Sequence, residues 1–245
     1  WSYNERRYKK LLQYHPGGLL LYLYGNSGQV EHLFDLFRKV FEAIAEQGVN
    51  AEERGYLSGI VRRVDEQYYT DEWAKCCLLL YKKELLQKPP LCLQRLFFRH
   101  PDKMKMFLEE NPSRSFDVEN DYYLPEEAYQ DKRAFDCWAE CLYEEFPEIL
   151  GYIMGKSCNG KDGAFPHEFI REFLEKQQNE KLTKAVFYGK FNSRGARIVQ
   201  DGRTLYEQAK CYRAQARELR LKFPQSAKIL LQLAKWMESE AQHDQ

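Results

Sequence analysis

The sequence predicts an all-α fold. Apolar residues recur at three-and-four spacing in nearly every segment, and helix-capping residues and breakers bracket those stripes. Only residues 19–24 and 196–199 have strand-like composition, and isolated strands without partners do not make a sheet. About ten helices are expected in a globular bundle or irregular array, closing on a long antiparallel hairpin.

In chain order, Asn26 with Gln29 three residues later reads as a capping box for a helix carrying Val30, Leu33, Phe34, Phe37, Val40, Phe41 and Ile44, ended by Gly48. Asn50 and Glu53 repeat the signal ahead of Leu57, Ile60, Val61 and Val64. Thr70 caps a third helix with Trp73, Cys77, Leu78, Tyr81 and Leu85, stopped by Pro89 and Pro90. Shorter pieces follow at 91–99 and 102–110, and the Pro, Ser and Asn content of 111–123 predicts a surface loop. Pro125 suits the first turn of a helix with Tyr129, Phe135, Trp138 and Leu142. A loop at 155–163 precedes helices at 165–178 and 182–188 and a glycine-punctuated stretch to Gly202. The closing hairpin, 203–241, has one seam of Leu205, Ala209, Tyr212, Ala216 and Leu219, and a second of Ala227, Leu230, Ala234, Met237 and Ala241.

The 245 residues fit two helical regions, 1–110 and 124–245, or one continuous domain. Seven cysteines, several inside apolar stripes, point to a reducing, cytoplasmic setting with most thiols packed in the core. The longest apolar run, 19–24, is far short of a membrane span, so no membrane partner is expected. The chain starts at Trp1 without a Met, which leaves room for a trimmed leader or an upstream domain.

Most enzyme classes find no motif here. GNSGQ at 25–29 lacks the Lys-Ser/Thr of a phosphate loop, and the loop around Asp162-Gly163 places Cys158, Gly160 and Phe169 where calcium ligands belong. Cys137 and Cys141 lie one turn apart without a matching Cys or His pair, so core packing and no metal or cofactor are expected. Cys158, in a Gly- and Lys-containing loop, is the thiol that a nearby cation would make reactive, but no resolving or catalytic partner stands in the sequence and an ordinary exposed thiol is expected.

Arg95-Leu-Phe-Phe-Arg-His100 resembles the R-x4-H signature of HEPN ribonucleases over six residues. That resemblance implies a helix-borne Arg95 steadying phosphate and His100 acting on the 2′-hydroxyl or leaving group, across a dimer. Leu96 and Pro101 depart from the usual pattern.

Charge layout is more telling. With 37 basic and 37 acidic residues the chain is neutral, yet residues 109–150 carry thirteen acidic against three basic, a net of −10. Residues 189–235 carry eleven basic against three acidic, a net of +8. Arg203, Lys210, Arg213, Arg217 and Arg220 form a stripe beside the hairpin seam. Three readings follow: a solvated face, a surface for an acidic protein partner or a second copy in a homodimer, and a nucleic-acid contact. The neutral total and the acidic neighbourhood favour a non-enzymatic interaction or scaffold module, with nucleic-acid binding through Arg203–Arg220 second and the ribonuclease third.

Overall fold

The structure is a computed structural model that describes residues 9–193 and 202–243, without the side chains of Phe116, Asn120 and His243. Every regular element among the described residues is helical; the 196–199 segment lies outside them. The chain divides into two compact units, Trp1–Phe97 and Phe98–Gln245.

The first unit holds α1 (residues 9–14), α2 (Leu20–Gly25), α3 (Val30–Gln47), α4 (Ala51–Asp65), α5 (Asp71–Lys82) and most of α6 (Leu91–Arg99). The strand-like 19–24 run is thus a buried helix, with Leu20 and Leu23 fully covered. The box at Asn50 forms in full, since the Glu53 amide donates to Asn50 Oδ1 at 2.9 Å and the Asn50 amide to Glu53 Oε2 at 2.8 Å. Thr70 Oγ1 accepts from the Trp73 amide at 3.1 Å. Asn26 does not cap α3; its side-chain amide donates back to the Tyr22 carbonyl, and a 3-10 turn over Ser27–Gln29 leads into the helix instead. α5 ends at Lys82, before the proline pair, where Glu84 takes a left-handed φ of 57° and Arg54 Nη1 donates to its carbonyl at 2.8 Å.

The core of this unit is aromatic. Phe37, Phe41 and Trp73 meet in tilted and edge-to-face pairs 5.5–6.2 Å apart, each worth about 0.5–1.5 kcal/mol beyond its buried area. Asp65, at the end of α4, is buried among them and accepts from Trp73 Nε1 at 2.9 Å and the Cys92 amide at 3.2 Å, tying α4, α5 and α6 together.

The second unit holds α7 (Pro101–Glu110), α8 (Ser115–Asp121), α9 (Lys132–Tyr143), α10 (Pro147–Gly155), α11 (Glu168–Gln177), α12 (Glu180–Asn192), α13 (Gly202–Leu219) and α14 (Pro224–His243). Fourteen helices are described, more than the ten or so expected, because residues 9–14, Leu20–Gly25 and Ser115–Asp121, which the sequence did not mark as helical, are helices. The 111–123 segment is a 3-10 turn followed by α8, not a loop; Val118 and Tyr122 are fully buried and anchor it. The helix expected from Pro125 is a 3-10 turn over Glu126–Tyr129 and a fresh start at Asp131, whose carboxylate accepts from the Arg133 and Ala134 amides. The 165–178 helix begins late, with His167 as its N-cap.

α10 and α12 cross at glycines. A Cβ on Gly151, Gly155 or Gly189 would run into the facing helix, and at Gly155 and Gly189 the obstacle is backbone. Cys76, Cys77 and Cys92 are buried and the loop thiol Cys158 exposed, as expected, whereas Cys137, expected in the core, is exposed, since one-turn spacing with Cys141 said nothing of direction; Cys211 is exposed too. Partial burial raises the Cys158 thiol, and Lys190 only weakly opposes it, so this loop does not activate the thiol.

Candidate functional site

The hairpin α13–α14 is built as its two seams dictate. Leu205, Ala209, Ala216 and Leu219 on α13 and Ala227, Leu230, Ala234, Met237 and Ala241 on α14 are all buried, with Tyr212 and Trp236 packed against them. Alanine at the contact positions lets the backbones approach closely, and Phe223-Pro224 turns the chain. The turn is pinned to α11, because Glu175 Oε1 accepts from the Gln225 amide at 2.7 Å and the Arg171 guanidinium lies 5.2 Å from the Phe223 ring centre. The basic residues of the hairpin therefore project from a fixed frame.

The stripe Arg203, Lys210, Arg213, Arg217 and Arg220 does not act as one set. Arg213 forks Glu238 across the seam through Nε and Nη2, both at 2.6 Å, and so locks α13 to α14. Lys210 pairs with Glu207 at 3.1 Å and lies 4.8 Å from the Tyr206 ring centre. Arg203, Arg217 and Arg220 are exposed, and no ion pair holds Arg217 or Arg220 among the described residues. The ion pairs of the acidic 109–150 region run elsewhere: Glu127 to Arg99 at 2.8 Å, Glu140 to Lys176 at 2.6 Å and Glu145 to Lys105 at 2.6 Å.

The structure adds two cations that the stripe did not include. Lys228 and Lys235 stand two turns apart on α14 with Leu231 between them, and together with Arg220, Pro224, Ala227 and Gln232 they line a shallow groove of about 300 Å³. No acidic side chain lines it. Leu231 is 44% exposed and Leu221, at the turn, 91%. The 3-and-4 spacing of Lys228, Leu231 and Lys235 was visible in the sequence, but the buried seam of α14 dominates its pattern and hides a second, outward stripe.

Two other places hold chemically distinctive groups. A groove of about 910 Å³ in the first unit runs over Gly55 and Gly59 between Tyr24, Tyr56, Leu86 and Pro90; its charges, Glu52, Arg62, Asp65, Glu66 and Lys88, are of mixed sign. In the second unit, Lys156 Nζ donates to the Glu119 carbonyl at 2.5 Å beneath the Tyr123 ring, and burial pulls its pKa down to about 7. The adjoining cavity of about 20 Å³ has room for one water and no substrate, so Lys156 is not placed for catalysis. A lysine whose folded pKa lies below its unfolded value of about 10.4 binds fewer protons folded than unfolded between the two. On this account stability should climb as pH rises from about 7 toward 10, and Lys156→Met should lack that climb in urea titrations at several pH values.

Arg95 and His100 fall in different units. Arg95 lies on α6 with its guanidinium 5.4 Å from the Tyr69 ring centre. His100 is off that helix, with φ −128° and ψ 73°, as the N-cap residue of α7 ahead of Pro101. The chain breaks between them as the expected pieces 91–99 and 102–110 imply, because the proline starts a new helix, so the R-x4-H spacing does not lie on one helix.

Comparison with protein-family models, with curated proteins and with solved structures found no match.

Proposed function

We propose that the protein is an interaction module whose terminal hairpin binds an acidic amphipathic segment of a partner protein. The observation that carries this reading is the groove of α14. Arg220, Lys228 and Lys235 present one sign of charge around it, no carboxylate lines it, and Leu231 supplies an exposed apolar contact within it, with the exposed Leu221 next in the chain to Arg220. An acidic helix with an apolar face complements all of these at once, whereas phosphate backbone leaves the leucines uncovered. The larger groove of the first unit has mixed charge and selects no partner by sign. No helix among the described residues is long and apolar enough to cross a membrane, so the leucines are not read as part of a span. The mixed-sign surface and reduced thiols fit a cytoplasmic protein.

The second reading, nucleic acid, rests on Arg203, Arg217 and Arg220, whose forks suit phosphate as well as carboxylate. Elution of the purified chain at low and then high salt, with the 260/280 nm absorbance ratio and light-scattering mass read together, separates the two. A protein-only spectrum at both salts is expected. An elevated ratio that falls with salt would transfer the hairpin to nucleic acid, and a dimer that dissociates with salt would make the acidic partner a second copy of this chain.

A further inference from the structure

We propose that Asp65, Cys77 and Cys92 form a binding site for a zinc-class divalent metal ion. The three residues come from α4, α5 and α6, and one carboxylate oxygen and both Sγ atoms lie within 4.8 Å of one another, all buried. Tetrahedral zinc holds such atoms roughly 3.3–3.8 Å apart, so a contraction of about 1 Å closes the set.

The carboxylate supplies the independent observation. Asp65 is buried, and no cation pairs with it among the described residues; its donors are all neutral, Trp73 Nε1, the Cys92 amide and the Cys92 thiol, which Cys77 joins in turn. A buried charge without a counter-charge is costly, and a cation beside both thiols removes that cost. The two N–H donors also fix the carboxylate, which is how outer partners orient a metal ligand, and the lone pair that the Cys92 thiol occupies is freed when that thiol gives up its proton on metal binding. Two soft sulfurs exclude magnesium and calcium and favour zinc. Binding releases the two thiol protons to solvent, and each sulfur becomes a thiolate ligand. Three protein ligands leave a fourth position for water or an added ligand, and Asp65 also lines the 910 Å³ groove, which gives the ion a route in.

The test uses the full chain, stripped with a chelator and titrated with Co²⁺ as the probe. One equivalent should bind with a thiolate-to-cobalt charge-transfer band and the visible bands of tetrahedral cobalt, both lost when Zn²⁺ displaces it. A variant with Cys137, Cys141, Cys158 and Cys211 changed to Ser should keep these bands, and Cys92→Ser, which leaves Cys77 as the one thiolate ligand, should lose about half of the charge-transfer intensity and bind about tenfold or more weakly. Absence of the charge-transfer band in the wild-type chain overturns the proposal. So does its loss in the four-serine variant, which would assign it to exposed thiols. Should Cys92→Ser fail to fold, the four-serine variant decides alone.

Discussion

Gly155→Ala is expected to destabilise the second unit by about 3 kcal/mol or more, at the upper end of what overpacking costs. Gly155 closes α10 against α12, where a Cβ would strike the Val186 carbonyl and lie 2.7 Å from both Gly189 Cα and the Lys190 amide nitrogen. These are backbone atoms, so no side-chain rotation relieves the clash and one helix must move. Gly189 faces the Tyr152 backbone in the same way, with carbons at 2.9 Å, so the crossing is tight from both sides. Gly55→Ala is the control. It sits in the interior of α4 with nothing within 4 Å of its would-be Cβ, and alanine there should stabilise by about 0.5–1 kcal/mol. Urea unfolding measures both, with hydrogen exchange at α10 and α12 locating the first.

Asp162→Ala is the second large effect, about 1.5–3 kcal/mol of destabilisation, because it removes the two short charge-assisted hydrogen bonds of the buried Arg171 guanidinium from a carboxylate that is itself 53% exposed. Arg171 is 2% exposed at its side chain, its Nε has no hydrogen-bond partner, and Nη1 and Nη2 donate to the two Asp162 oxygens at 2.7 and 2.8 Å. Glu168, 3.9 Å away, is too far to replace that fork. Asp162 also accepts from the Ala164 amide at 3.1 Å, holding the loop in which Gly163 takes φ 79°. The guanidinium hydrogen bonds hold the Asp162 carboxyl below the ordinary carboxylate range. A depressed folded pKa means that this stabilisation is complete above about pH 4 and is lost as pH falls through the folded value. The wild-type chain should therefore lose stability in acid more steeply than Asp162→Ala. Adding Arg171→Met to the variant should recover part of the loss, because it removes the stranded charge.

Fold class and seams were legible in the sequence because they depend on local periodicity. Asn50 with Glu53, Thr70, and the Leu205 to Ala241 ladder act within one turn or between two adjacent helices. What failed depends on distant partners. Residues 111–123 have loop composition, but burial of Val118 and Tyr122 makes a helix of them. Cys77 and Cys92 are 15 positions apart and meet only because α5 and α6 both close on Asp65, whereas of Cys137 and Cys141, paired by spacing, the first is exposed and the second half-buried. The stripe on α13 was visible as spacing. Its division into Arg213, engaged with Glu238, and Arg217 and Arg220, outside any described ion pair, required the position of α14.

That division fixes which residues to change. Arg213→Glu would set two carboxylates against each other across the seam and loosen the hairpin itself, so it is unsuited to testing binding. The decisive measurement is a fluorescence-anisotropy titration of a labelled acidic amphipathic peptide, with a single-stranded RNA of equal charge as competitor, against the wild-type chain and Arg220→Glu/Lys228→Glu. The account predicts salt-sensitive peptide binding that RNA displaces poorly and that the double variant weakens at least about tenfold, about 1.4 kcal/mol, with helicity and melting temperature unchanged. Equal peptide binding by both proteins, or RNA bound more tightly than the peptide, would contradict it.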